Sequence, residues 1–514
     1  MDMKPVAPIM RLAPTRAQLW ISLPFFFMIQ KCFREDLPLL DFWWHLKMGR
    51  VILDSAAIPR IDTFSLTAAG HVFIIQNWLA EITLYALYAV GGGLLLIFFS
   101  TAIFIAVIYV LWRVCLRLSR STWASVFSSI VVAVCIPANI RPQIFSFLFF
   151  ALFYWILSSD KPVSVRRTCW LPVLMMAWVN MHGAFMLGLG LIAIFLAVEV
   201  VHFRVKSVAG EKADRAMVVQ LGVAFMLSLA ATLANPEGYG VYRYIGTVVN
   251  DPSSRLFVSE WQPPNILELS GILLYFVPFF LTSTALILSE KRPRLIDWVL
   301  FTTFAVFGIT AMRNCAWFQL IAAPILARYL SSVPWEQLTR LWRRDFFRKS
   351  WLTHAPDSAK LRRINLAVAG LLVVLVVIRS PWWRSHRLGE SLLEAGTPVA
   401  AVEFIAREGL VGNIFHPQIY GDYVLWKLGP DRKVFFDGRV HLYGEEFVRN
   451  YSRIQQDSAW EELLKPYKIG FLLLDKKDGQ DELNLLNRAR RSANWRVIYE
   501  DAISVLLQKV NSNG

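Results

Sequence analysis

The chain has 514 residues, of which 56% are hydrophobic and only 18% charged, and its net charge is +15. A soluble domain carries nearer a quarter charged residues, so much of this chain is built to avoid water, and an ordinary soluble enzyme is excluded. The basic excess does not describe a nucleic-acid groove. From Pro381 onward there are 18 Lys and Arg against 18 Asp and Glu, and the whole excess, 35 against 20, lies in the hydrophobic part. Its concentration in short loops is the positive-inside pattern of a membrane protein.

The first apolar run, 17–30, follows Lys4, Arg11 and Arg16 and lacks a small-residue cleavage site, so it reads as a retained signal anchor. Further apolar runs fall at 93–112, 122–137, 142–158, 170–181, 183–203, 217–234, 271–289, 295–311, 313–330 and 363–379, with an ambiguous stretch at 78–90. The basic connections are Arg113-Arg117-Arg120, Lys161-Arg166-Arg167, Arg204-Lys206-Lys212-Arg215, Lys291-Arg292-Arg294 and a long loop with Arg343, Arg344, Arg348, Lys349, Arg362 and Arg363. Placing these and the N-terminus in the cytoplasm predicts a polytopic α-helical membrane protein of about 11 spans (range about 11–13) with an external C-terminus. The 78–90 stretch then lies in the interface or re-enters. Cys32, Cys115, Cys135, Cys169 and Cys315 lie in or beside apolar segments without metal-ligand spacing and read as buried free thiols.

Residues 1–380 form the predicted membrane domain, with a structured first external loop at 31–77. Within it, Phe42, Leu46, Gly49, Ile52 and Leu53 recur at helical spacing, predicting an amphipathic helix over 41–53 lying on the membrane and ended by Pro59. Asp62-Thr63-Phe64-Ser65 and Thr67 read as a turn and a strand-like stretch. Residues 381–514 read as a small extracytoplasmic α/β domain. Its expected helices are 396–408, 445–455 and 460–467. Its expected strands are 413–416, 433–436 and 469–474, with a closing hairpin at 495–499 and 503–508. Asp437-Gly438-Arg439 follows an apolar run and reads as a turn rather than a site.

On this topology the unusual polar clusters share the external side: 41–45, 139–143, 180–183, 235–238, 260–264 and Arg313-Asn314. Polar groups near hydrocarbon are expensive and tend to line sites or cavities. No Walker loop, GxGxxG, HExxH or GxSxG pattern is present, so soluble-nucleotide chemistry has no support.

The run Asp41-Phe42-Trp43-Trp44-His45-Leu46-x-x-Gly49, then Ile58-Pro59-x-x-Asp62-Thr63-Phe64-Ser65 and Trp78-Leu79-x-Glu81, resembles the first external loop of bacterial GT-C integral-membrane glycosyltransferases, close to the dolichyl-phosphate-mannose mannosyltransferase-like group. Asn180-x-His182-Gly183, Asn235-Pro236-x-Gly238, Glu260-Trp261-Gln262 and, in the tail, Tyr420-Gly421-Asp422-Tyr423 with Phe436-Asp437-Gly438-Arg439 look like the same lineage. The resemblance covers most of the chain. It implies a multi-pass protein of the bacterial inner membrane that moves a sugar from a polyprenyl-phosphate donor to a glycan, lipid or protein acceptor. It also implies that an acid of the first loop, here Asp41, is base or metal ligand, with a divalent ion the one cofactor in view. The family's adjacent pair of acids is absent, because Phe42 follows Asp41. A transporter or flippase for a lipid-linked glycan, and a non-catalytic envelope assembly protein, are the alternatives.

Each candidate has two readings. Asp41 is a base for a sugar hydroxyl, or else a helix cap or a partner of Lys47 or Arg50. His45, four residues on, shares its helical face and would orient the carboxylate, bind phosphate or help hold a metal, or else is an interfacial histidine bonded to backbone. Asp62 and Glu81 are secondary acids: Asp62 is a helix N-cap or a site residue, and Glu81, on an apolar stretch, leans toward a paired role in the site. Arg141 and Arg313 would fork onto donor phosphate or else snorkel to headgroups. His182 stands at a helix junction as site residue or structural group. Glu260 and Trp261 would contact sugar or anchor a loop.

Overall fold

The computed structural model describes residues 13–158, 164–209, 215–335, 337, 359–477 and 484–510. Lys4, Arg11, Lys161, Lys212, Arg343, Arg344, Arg348 and Lys349 of the topology argument lie outside these residues. In the membrane part the principal helices are α1 (Arg16–Arg34), α2 (Phe42–Ser55), α3 (Trp78–Ser119), α4 (Thr122–Cys135), α5 (Gln143–Leu157), α6 (Trp170–Met181), α7 (Phe185–Val208), α8 (Arg215–Ala231), α9 (Val277–Leu288), α10 (Leu295–Thr310), α11 (Cys315–Leu330) and α12 (Ala359–Arg379). Among the described residues five stretches are long and apolar enough to cross a membrane: α3, α7, Arg215–Ala234, Leu269–Leu288 and Lys360–Arg379. Helices α4, α5 and α10 are apolar but shorter. Helix α11 is buried on nearly every side, as a helix apolar all round must be when it forms the centre of a bundle.

The ambiguous 78–90 stretch is helical and runs on into the next apolar segment. At 42 residues α3 is roughly 63 Å long, about twice the hydrocarbon thickness, so one crossing cannot absorb all of it. Gly91 and Gly92 break it, Gly92 with φ +61°, a conformation glycine adopts freely. The first part of α3 is thereby turned against α2. There Gly49 packs so closely that a Cβ would stand 2.1 Å from the Glu81 carbonyl oxygen.

Helix α2 departs from the surface helix expected of 41–53. Residues Phe42 to Gly49 are all buried, because α2 is covered on one side by α3 and on the other by the segment after Pro381. It ends at Ser55, with Ala56 left-handed, before Pro59 is reached. The chain after α12 forms α13 (Val399–Arg407), β1 (Asn413–Phe415), α14 (Gln418–Leu428), α15 (Glu445–Gln456), β2 (Ile469–Asp475), β3 (Trp495–Glu500) and β4 (Ser504–Lys509). The sheet order is β1-β2-β4-β3. Strand β1 runs parallel to β2, and the two remaining pairs are antiparallel.

Residues 433–436 are not a strand of this sheet. Val434 instead pairs with the first loop: Val434 N–H donates to the Phe64 carbonyl, and Leu66 N–H donates to the Val434 carbonyl. Phe42, Trp43, Phe64 and Phe73 of the loop share one apolar core with Tyr420, Tyr423, Val424 and Phe436. Cys169 departs from the buried-thiol expectation. It is exposed between the short helix Val165–Thr168 and α6, while the other four cysteines are buried.

Candidate active site

Asp41 immediately precedes α2 and has φ 66° and ψ −36°. Phe42 N–H donates to the Leu40 carbonyl at 2.8 Å, which makes Asp41 the centre of a γ-turn of the rare positive-φ kind. Such a non-glycine conformation costs about 1–3 kcal/mol and persists where its surroundings impose it. The side chain caps no N–H of α2. Lys47 donates to the Gly429 carbonyl and Arg50 pairs with Asp54, so neither is its partner.

The carboxylate turns instead toward Arg141, which stands at the start of α5. Arg141 Nη1 lies 3.3 Å from Asp41 Oδ2 and donates to Glu260 Oε1 and Oε2 at 2.8 and 3.0 Å. Glu260 belongs to the single turn Ser259–Trp261, and Arg313 to the turn Met312–Asn314. The two turns are tied where Met312 N–H donates to the Gln262 carbonyl. The Arg313 guanidinium lies 4.4 Å from the Trp261 ring centroid, a cation–π distance. Among the described residues no carboxylate stands within ion-pair distance of Arg313. Burial raises the Asp41 pKa and Glu260 adds to the rise, while Arg141 and Arg313 oppose it. The side chains of Asp41, Arg141 and Glu260 keep 31%, 18% and 39% of their surface open, so the cluster is accessible.

His182, between α6 and α7, accepts hydrogen bonds at Nδ1 from Ser146 Oγ and from Ala184 N–H; Ser146 in turn accepts from Trp178 Nε1. Burial, assisted by the nearby Arg313 charge, pushes its pKa down to about 3. The ring is therefore neutral, with its proton on Nε2.

His45 does not orient Asp41. Its Nδ1 lies 3.0 Å from Glu81 Oε1, with Asn77 Nδ2 donating to the same oxygen. The i, i+4 relation that placed His45 beside Asp41 presumes that Asp41 is helical, and its γ-turn removes it from that face. Asp62 also departs from the N-cap expected of it. It caps no helix, and its carboxylate accepts from Ser65 N–H and from Arg439 Nη1 at 2.7 Å. Arg439 pairs bidentately with Asp437 and lies 4.9 Å from the Phe73 ring centroid.

Asp437-Gly438-Arg439 is thus no simple turn. Gly438 N–H donates to Asp422 Oδ1 at 2.8 Å, and Asp41 N–H donates to Asp422 Oδ2 at 2.5 Å. A Cβ on Gly438 would lie 2.5 Å from Asp41 Oδ1 and 2.9 Å from Asp422 Oδ2. Sequence reasoning did not assign Asp422 or Gly438. The signal available was the motif that carries them, 420–423 and 436–439, which contains two acids, Asp422 and Asp437, against the single base Arg439.

The donor set does not fit a divalent cation. Arg141 already lies between the two open carboxylates, with Arg313 beside them, and two guanidinium charges repel a metal ion from that position. Among the described residues no three His, Cys, Asp or Glu side chains are grouped to hold one.

No family model and no curated protein sequence matches the chain. Solved structures do match. The oligosaccharyltransferase AglB from Archaeoglobus fulgidus, in complex with an inhibitory peptide and a dolichol-phosphate, aligns at TM-score 0.54 and 11% identity over 97% of this chain and 74% of that one. The mycobacterial arabinofuranosyltransferase AftD aligns at TM-score 0.52 and 12% identity over 98% of this chain and 42% of that one. ArnT from Cupriavidus metallidurans bound to undecaprenyl phosphate gives 0.48 and 13% over 96% and 98%. The chain shares the overall fold of AglB and AftD.

Proposed function

We propose that this protein transfers a sugar from a polyprenyl-phosphate donor to an acceptor hydroxyl at the extracytoplasmic face of a bacterial inner membrane. On this reading about eleven segments span the membrane, the N-terminus is cytoplasmic and the segment after Pro381 is external. The observation that carries the reading is the strained, partly open Asp41 carboxylate, met by Arg141, Glu260, Trp261 and Arg313 from three other parts of the chain. AglB, with the same fold, was solved with a dolichol-phosphate, and a lipid phosphate is the ligand chemistry a guanidinium pair suits.

In this reaction the acceptor oxygen attacks the anomeric carbon while Asp41 takes its proton. The bond from that carbon to the phosphate oxygen breaks, and its electron pair stays on the leaving polyprenyl phosphate. Arg313, with free donors, and Arg141 stabilise the developing phosphate charge. Trp261 offers an apolar face beside the sugar. The neutral His182 Nε2–H is a further donor that needs no charge. The test is the full chain reconstituted in liposomes with radiolabelled polyprenyl-phosphate sugars and membrane-derived acceptors. Label should move from lipid to acceptor in the wild type and not in Asp41→Asn. Equal transfer by both would remove Asp41 from the mechanism. Absence of transfer from every donor by folded wild type would overturn the reading.

A further inference from the structure

The stretch from Asp36 to Asp41 is clamped almost wholly by residues that follow Pro381. Asp36 pairs with Arg384. Leu37 exchanges backbone hydrogen bonds with Leu392 and Glu394, and Leu39 N–H donates to Glu394 Oε2 at 2.7 Å. Asp422 completes the clamp at the turn itself. It is fully buried on α14, and each of its oxygens accepts one backbone N–H, from Asp41 and from Gly438. Helix α14 can approach this closely only because residue 421 is glycine, where a Cβ would stand 2.0 Å from the Phe436 carbonyl oxygen.

A buried carboxylate with no ion-pair partner among the described residues, beside Asp41 and Asp437, is a poor way to stabilise a fold. Burial raises its pKa well above the usual range, and Asp437 and Asp41 raise it further. What Asp422 does supply is an acceptor for the N–H of Asp41 itself, the residue at the centre of the positive-φ turn. We propose that Asp422 is a positioning residue that holds Asp41 in its reactive orientation, so that the segment after Pro381 completes the active site. This rests on the role given to Asp41 above. An asparagine at 422 has one acceptor oxygen and so can satisfy only one of the two N–H groups.

The test uses full-length Asp422→Asn in liposomes with two readouts. The first is transfer kinetics. About a hundredfold loss in kcat is expected, the scale of a misplaced reacting group, with donor KM changed less than about twofold. The second needs no turnover: carbodiimide labelling of Asp41 against pH, read on its peptide by mass spectrometry. Asp41 is faced by Arg141, Arg313, Glu260 and Asp422, with Asp437 behind Asp422. If Asp422 holds the turn, its loss displaces the Asp41 carboxyl from Arg141 and Arg313, whose charges hold its pKa down, and the labelling midpoint should rise. An unchanged kcat or an unchanged midpoint in folded protein would overturn the proposal. Amide exchange in the wild type covers a variant that does not fold: the Asp41 N–H should exchange slowly, and rapid exchange also overturns it. If the wild type transfers no sugar, the function reading fails while labelling and exchange still decide this one.

Discussion

Arg141 and Arg439 each hold two carboxylates. Arg141 lies between Asp41 and Glu260, and Arg439 between Asp62 and Asp437. The Arg439 triad has no exposed side-chain surface at Asp62, Asp437 or the guanidinium itself. Its contacts are short, partly bidentate, and sealed by Phe73. The Arg141 triad is open by a fifth to two-fifths, its link to Asp41 is long at 3.3 Å, and one member sits in a strained turn. An arginine between two carboxylates therefore does different work according to burial. The sealed triad ties the first loop to the C-terminal segment. The open one leaves a carboxylate with valence to spare for an incoming hydroxyl.

The largest effect expected from breaking this contrast is at Asp41. Asp41→Asn should lower kcat by about 10²- to 10⁴-fold, the usual contribution of a general base. The thermal midpoint should stay level or rise. A carboxyl whose pKa is raised by folding contributes stability below its unfolded pKa and loses it as pH rises, so at neutral pH the charge is a burden that asparagine removes. Arg439→Ala should do the reverse. Leaving two buried carboxylates unpaired costs about 3–5 kcal/mol, read as a lowered denaturation midpoint, with activity lost only in proportion to the unfolded fraction.

This contrast explains what the sequence did and did not disclose. Apolar runs and basic loops report burial in lipid one residue at a time, so the helices of the membrane part were legible. The closing hairpin was legible too, because β3 and β4 flank polar Glu500-Asp501. Contacts across more than three hundred residues have no such local signal. Nothing near Asp62 announces Arg439, and nothing near Asp41 announces Asp422. Residues 433–436 look like a strand because Val434, Phe435 and Phe436 form an apolar run, yet Val434 pairs with residues 64–66 instead of the sheet. His45 was misplaced for the same reason, since a helical spacing rule cannot foresee a γ-turn at its first member.

A milder perturbation sharpens the open triad alone. Arg313 touches the Trp261 face, and no described carboxylate pairs with it. Arg313→Ala should raise the donor KM about tenfold, near 1.4 kcal/mol, with kcat reduced less and the denaturation midpoint within about 0.5 kcal/mol. Arg313→Lys should recover part of the affinity, because lysine keeps the charge but loses the fork. A donor KM unchanged in both variants would move the phosphate away from this turn.

The gentlest test changes only pH and separates the two triads in a single sample. Asp41 must be ionised to accept a proton, and its pKa stands above the usual carboxylate value. Activity should therefore fall, as pH is lowered, while ordinary carboxylates are still charged. Burial works against the Asp62 carboxylate, but the Arg439 charge and the Ser65 hydrogen bonds outweigh it and hold its pKa below the usual value. A depressed folded pKa gives stability that is present above the unfolded pKa and lost as pH falls through the folded one. The link made by Asp62 should thus survive to a lower pH than activity does. Between the two lies an interval in which the protein is inactive but folded, and returning to neutral pH should restore full transfer. Circular dichroism and transfer assays on the same proteoliposomes would show that interval as two separated acid midpoints. A single shared midpoint would mean that the fold and the Asp41 carboxylate titrate together, and the distinction between the open and sealed triads would be lost.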